Sequence, residues 1–280
     1  MDSAEARGAV ESAVWVTGAE DGDRQLAIDG MLLLCVVGST VHGLAVKDGV
    51  EDLDVMGLCC EPARRVLGLE SFEQWVGRTK GMGQRSEAGD VDAVVYSLRK
   101  WTRLALQGNP TVLLPLFVPP DHVLIETSAG RALREMGDAF ASRRAGHRFL
   151  GYATAQRERL EGTRGQLRVH RPELVALYGF DTKFAGHLLR LVHQGIEYLT
   201  TGRLVLPIPD PLGAHLRNVR TGKVALPDVI AEAAEAEARL KDLLTTSPLP
   251  EHPDVARVEA FLLQTYRDAW GWSGGDLRRV

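Results

Sequence analysis

The stretch from Met31 to Cys60 limits what this chain can fold into more than any other. It reads MLLLCVV, GSTVHG, LAVKDGVE, DLDVMGLCC. One apolar run ends at Gly38, and a second opens on Asp52 and Asp54. Short apolar runs bounded by turn residues read as buried strands, here Met31 to Val37 and Leu53 to Cys59. A third run, Val91 to Tyr96 (VDAVVY), has the same character, and the segment around Phe72 to Val76 adds another.

Each piece has a physical use. A glycine directly after a buried strand lets the backbone turn sharply and approach a ligand closely. Ser39 adds a hydroxyl. If a short helix begins here, its free N–H groups face the same point, which suits phosphate. Asp52 and Asp54 are two apart on a strand, so both carboxylates leave one face. Side by side they repel, and a cation is needed to neutralise them. Mg²⁺ favours carboxylates, waters and substrate phosphates. A third carboxylate on a neighbouring strand would complete a two-metal clamp for displacement at phosphorus. Gly-Ser and Asp-x-Asp are each common by chance; their ordered combination on two strands is specific. The bland alternative is a Gly turn followed by solvated aspartates.

The rest of the chain sets the organisation. Ser97 caps a predicted helix, LRKWTRLALQ, closed by Gly108. Asn109 and Pro110 look like the start of another, TVLLPLF. Beyond that the pattern is almost all helical: Asp138 to Leu160, a long helix capped by Asp181 and ended by Gly202, one from Pro227 to about Thr245, and one begun by Asp254. Pro-rich joints fall at Leu206 to Leu212 and Ser247 to Pro253. The plan is α+β: a small α/β domain over 1–125 and a helical domain over 126–280 that completes a cleft.

Composition narrows the function classes. The formal net charge of -4 gives no global case for nucleic-acid binding, so a basic patch must be local. One candidate is the stretch Arg143 to Arg171, with eight arginines against Glu158 and Glu161; a solvated helix face is the alternative. The three cysteines, Cys35, Cys59 and Cys60, sit in apolar runs without zinc spacing and read as reduced thiols of a cytoplasmic protein. No run approaches the ~18 apolar residues of a membrane span. The acidic opening MDSAEARGAVE does not read as a signal peptide.

Three stretches carry a family resemblance: GSTVHGLAVKDGVEDLDVMG, DVDAVVYSLRKWTRLALQGNPTVLLPLF and GFDTKFAGHLLRLVHQGIEYLTTG. Together they span most of residues 36 to 202. They resemble the DNA polymerase beta nucleotidyltransferase superfamily, and within it the group that includes the RNA-repair-pathway polymerase-beta-like proteins. The Ser-Asp usual before the first metal carboxylate is Glu51-Asp52 here, a mild departure that keeps the metal position. The resemblance implies a palm of mixed sheet with flanking helices. It implies that Gly38 and Ser39 hold a triphosphate and that Asp52 and Asp54 bind Mg²⁺, or Mn²⁺ in its place. The third carboxylate should come from the DVDAVVY strand: Asp92 matches best, and Asp90 on the same strand face is the runner-up.

Lys183, His187 and Arg190 are spaced by four and three on the Asp181-capped helix and share one face. Cations there would offset triphosphate charge and the leaving pyrophosphate, and the resemblance supports this for Lys183. A solvated basic face is the alternative. The expected reaction moves a nucleoside monophosphate from a nucleoside triphosphate to an acceptor hydroxyl. The acceptor stays open: an RNA or tRNA 3′ end reached through Arg143 to Arg171, a protein or small molecule that becomes nucleotidylated, or none, in a non-enzymatic nucleotide-binding module. Base preference, oligomeric state and the choice between Asp92 and Asp90 are not legible in the sequence.

Overall fold

The computed structural model describes Gly8 and residues 22–46, 52–79, 90–162 and 171–272. Glu51, most of the N-terminal segment and residues 163–170 of the arginine-rich stretch lie outside the described residues.

The sheet is five-stranded and mixed. Its strands are β1 (Met31–Val36), β2 (Leu53–Cys59), β3 (Gln74–Arg78), β4 (Val91–Ser97) and β5 (Val123–Glu126), ordered β3-β4-β2-β1-β5. β2 and β4 run parallel at the centre, and the other neighbours pair antiparallel. The strands predicted from apolar runs are all present.

Eleven α-helices of four residues or more surround the sheet among the described residues. They are α1 (Gly22–Asp29), α2 (Gly38–Val41), α3 (Ala63–Leu67), α4 (Leu98–Leu106), α5 (Ser128–Glu135), α6 (Arg143–Leu160), α7 (Pro172–Tyr178), α8 (Thr182–Thr201), α9 (Leu212–Arg220), α10 (Leu226–Thr246) and α11 (Val255–Trp270). No helix among the described residues is long and apolar enough to cross a membrane.

Strand alternation divides the core. One sheet face contributes Leu34, Val36, Val55, Ala93 and Val95, packed with Ala27 of α1 and with Phe72 and Trp75. The opposite face contributes Leu33, Cys35, Met56 and Leu58, packed with Trp101, Phe149 and the leucines of α8. That second face carries the acids, because Asp54 shares its parity with Met56 and Leu58. α8 is buried along most of its length, between α6 and α10. Phe149 and Leu240 press on Gly195, where a Cβ would meet Phe149 Cβ at 2.9 Å. The three cysteines are buried and free. Burial lifts the Cys35 thiol to about 12, so it stays protonated and unreactive.

Caps account for the boundaries read from sequence. Ser97 accepts from Lys100 N, Asp181 from Lys183 N and Phe184 N, and Asp254 from Arg257 N. Two expectations are corrected. TVLLPLF is no α-helix but a turn and a 3-10 segment, Leu114–Leu116. Pro115 lacks the N–H and its ring obstructs the preceding turn, so burial of the leucines proceeds without helix propagation. The helix expected from Asp138 is a 3-10 turn, Gly137–Phe140, followed by a break. Ser142 is extended at φ -161, and α6 starts at Arg143.

Candidate active site

The acids come from the two central parallel strands. Asp54 of β2 pairs in register with Asp92 of β4, on the face that packs against α8. Neighbouring strands stand about 4.8 Å apart, so the two carboxylates are adjacent. Asp52 precedes β2 by one residue and shares Asp54's parity. Its Oδ1 is buried without a hydrogen-bond partner among the described residues. An orphaned carboxylate oxygen suits a hard divalent cation, but among the described residues the three aspartates are not drawn together into a three-ligand metal group. Asp92 has Arg78 Nε at 3.5 Å from its Oδ1. Asp90 is engaged differently: its Oδ1 accepts from Thr79 Oγ1 at 3.1 Å, and its carbonyl accepts from Leu53 N.

The glycine turn closes on the acids. Gly38 has φ +67, and a Cβ there would stand 2.0 Å from Asp54 Oδ2. Both the backbone angle and the close approach require glycine. Val37 N donates to the Asp54 carbonyl at 2.8 Å, which ties the turn to β2.

A cavity of about 230 Å³ opens beside this turn. Its walls include Gly38, Ser39, His42, Asp54, Thr111, Lys183, His187, Arg190 and Arg220. Six residues singled out from sequence, Gly38, Ser39, Asp54, Lys183, His187 and Arg190, therefore meet in one place. Asp52 and Asp92 do not line it; they flank Asp54 on the sheet. Larger cavities exist elsewhere, one of about 460 Å³ near Arg134 and Arg203, remote from these acids.

One cavity group is not legible in the sequence, and another is legible only as a non-catalytic residue of the Gly loop near the phosphate position. Arg220 ends α9, a helix hidden behind a Pro-rich joint. Its stem crosses α8 at Gly186, where a Cβ would meet Arg220 Cγ at 2.7 Å. A glycine in mid-helix is the only sequence signal of this crossing. Arg220 Nη1 also donates to the Leu44 carbonyl, and Arg217 Nη1 donates to the Gly43 carbonyl at 3.2 Å. The other group is His42, whose ring is buried and whose Nε2 lies 2.8 Å from Arg190 Nη1.

The electrostatics are those of a cationic pocket with neutral imidazoles. Burial, then Arg190, Arg159, Arg171 and Lys183, push His187 down to about 3. Two arginines of the basic stretch thus stand near enough to act on this cavity. Burial, then Arg220, lowers Arg190 to about 10, so it stays charged. Arg171 is also paired with Asp181 at 3.2 Å and stacks over Phe184. Other arginines of the stretch are engaged at the surface: Arg148 with Gln107, Arg157 with Glu237 and Glu161.

No curated protein matches the chain significantly. Among solved structures, a nucleotidyltransferase-like protein from Exiguobacterium sibiricum is similar at 12% identity and TM-score 0.30, covering 94% of this chain and 80% of its own. The model of the RNA repair pathway DNA polymerase beta family matches residues 24–264. With most of its length so matched, the chain belongs to the RNA repair pathway DNA polymerase beta family and is a polymerase-beta-like nucleotidyltransferase.

Proposed function

We propose that the protein is a Mg²⁺-dependent enzyme that transfers a nucleoside monophosphate from a nucleoside triphosphate to an RNA or tRNA 3′ hydroxyl. The observation that carries this is the registered Asp54–Asp92 pair beside a cavity with three cations in its wall. Carboxylates on one side and cations on the other suit a polyphosphate: the acids need a metal, and the cations need an anion.

Asp52, Asp54 and Asp92 are the residues that would hold the metal. Bound there, Mg²⁺ supplies charge neutralisation and lowers the pKa of a coordinated hydroxyl. Asp92 is preferred over Asp90 as third acid, because it faces Asp54 while Asp90 is committed to Thr79. Its carboxylate takes the acceptor proton. Ser39, with Gly38 beneath it, and Lys183 receive the leaving pyrophosphate. Arg190 and Arg220 oppose the negative charge from the cavity wall. The arginines of the stretch Arg143 to Arg171 favour a polyanionic acceptor over a neutral one.

The test offers labelled nucleoside triphosphates with RNA, protein and small-molecule acceptors in separate reactions. Transfer to RNA that weakens steeply with salt is expected. Transfer to protein or antibiotic-sized acceptors alone would replace RNA with that acceptor class. Metal-independent turnover would overturn the metal-dependent mechanism, and no turnover with any acceptor would overturn the enzymatic reading.

A further inference from the structure

His42 ends the short helix that bears Gly38 and Ser39, and its ring reaches across to α8. It is 2% exposed, as is Gln194. His42 Nε2 stands 2.8 Å from Arg190 Nη1, and its Nδ1 stands 3.3 Å from Gln194 Nε2. A guanidinium has no acceptor, so in the shorter contact the imidazole accepts. Nε2 therefore carries no proton and Nδ1 does. The longer contact then sets two donors face to face and is not a hydrogen bond. Burial, then Arg190 and His187, hold the basicity of His42 well below the usual range, in keeping with a neutral ring.

Arg190 Nη1 also donates to Gln194 Oε1 at 2.8 Å, and Nη2 reaches His187 Nε2 at 3.4 Å. Its partners among the described residues are all neutral. A carboxylate in their place would orient the guanidinium and cancel its charge. Neutral acceptors orient it and leave the charge for a ligand.

We propose that His42 is a positioning residue: as a neutral imidazole it fixes the Arg190 guanidinium in the cavity wall, where Arg190 receives the polyphosphate of the nucleotide. The identity of that polyanion rests on the nucleotidyltransferase reading above. The same ring joins the Gly-Ser turn to α8, so two phosphate contacts from distant parts of the chain share one geometry. His42 itself touches no reacting atom.

Inorganic tripolyphosphate is the probe, titrated by calorimetry into the full chain without metal or acceptor. His42→Met keeps the bulk and removes the acceptor; His42→Gln places an oxygen near the Nε2 position. His42→Met should weaken binding about tenfold and His42→Gln by less than about threefold. Added to Arg190→Met, His42→Met should cost nothing further, because it acts through Arg190. Equal weakening by Met and Gln, unchanged binding in His42→Met, or the same loss with Arg190 already gone would overturn the proposal. Imidazole ¹⁵N spectra of the unsubstituted protein give a reading independent of how the variants fold: Nδ1 protonated and Nε2 bare supports it, and the opposite tautomer overturns it. In turnover, His42→Met should raise KM for the triphosphate and leave kcat nearly unchanged. Pyrophosphate release with an unchanged KM would sink the positioning role and leave the enzyme reading standing. Tripolyphosphate coupling without any pyrophosphate release would do the reverse.

Discussion

The acidic wall of the site comes from two neighbouring strands, whereas its cationic wall is gathered from α8, α9 and the turn that both hold. Asp54 and Asp92 are placed by a strand register, in which each residue's neighbour is fixed by backbone hydrogen bonds. Lys183, Arg190 and Arg220 are placed by long side chains crossing between helices, steadied by His42, Gln194 and the Leu44 carbonyl. A rigid wall suits the proposed reacting centre, where small displacements are costly. A wall of long side chains suits phosphates, which tolerate several donor arrangements. Substitutions should therefore strike harder on the acidic side, and on the cationic side they should act on affinity before rate.

Asp54→Asn tests the rigid wall most severely. Losing one metal carboxylate should lower pyrophosphate release by about a thousandfold or more, since the metal supplies several kcal/mol of transition-state stabilisation. Without metal, the same change relieves repulsion between Asp54 and Asp92. The metal-free melting temperature should hold or rise. A variant that turns over like the wild type, measured by released pyrophosphate, would remove these acids from the mechanism.

Gly38→Ala attacks the same wall through the backbone. A positive φ costs a non-glycine residue ~1–3 kcal/mol, and the new Cβ would stand 2.0 Å from Asp54 Oδ2. The carboxylate must move. A displacement of this kind should reduce kcat by about a hundredfold, with a lowered melting temperature. An unchanged kcat at reduced stability would show that Asp54 tolerates displacement, and the contrast between the walls would lose its basis.

The two walls also differ in how far sequence reveals them. Asp52 and Asp54 were legible because strand parity has a period of two and both residues lie within one short run. The caps Asp181 and Asp254 located α8 and α11 for the same reason: a cap acts on neighbours a few residues away. Lys183, His187 and Arg190 followed from helical spacing. Arg220 did not, because nothing local distinguishes it from Arg217; only the packing of α9 on α8 does. His42 was visible as a residue of the Gly loop, but its partner lies 148 positions away. TVLLPLF misled for a related reason: its apolar run shows burial, while Pro115 decides the backbone.

Arg190→Met probes the adaptable wall directly. A charge-assisted contact is worth ~1.5–3 kcal/mol, so KM for the triphosphate should rise roughly ten- to hundredfold. kcat should fall much less, because Lys183 and Arg220 still oppose the leaving group. A collapse of kcat with KM unchanged, read from steady-state kinetics, would mean that Arg190 belongs to the reacting centre after all and that both walls are equally demanding.

Gly186→Ala is the mildest change and separates stability from function most cleanly. Alanine in mid-helix is favoured over glycine by up to about 1 kcal/mol, so α8 by itself should gain. The added methyl would stand 2.7 Å from Arg220 Cγ. That atom sits near the root of a side chain whose far end is bonded to Leu44, so it cannot swing aside without pulling the guanidinium with it. The predicted result is a melting temperature that changes little, the helix's gain offset by the displaced Arg220 stem, together with a KM a few-fold higher. If KM stayed unchanged while stability rose, Arg220 would be a strut between α9 and the loop before β2 rather than part of the cationic wall. If stability fell as well, the close approach of α9 to α8, and not the helix's own preference, would be what fixes glycine at this position.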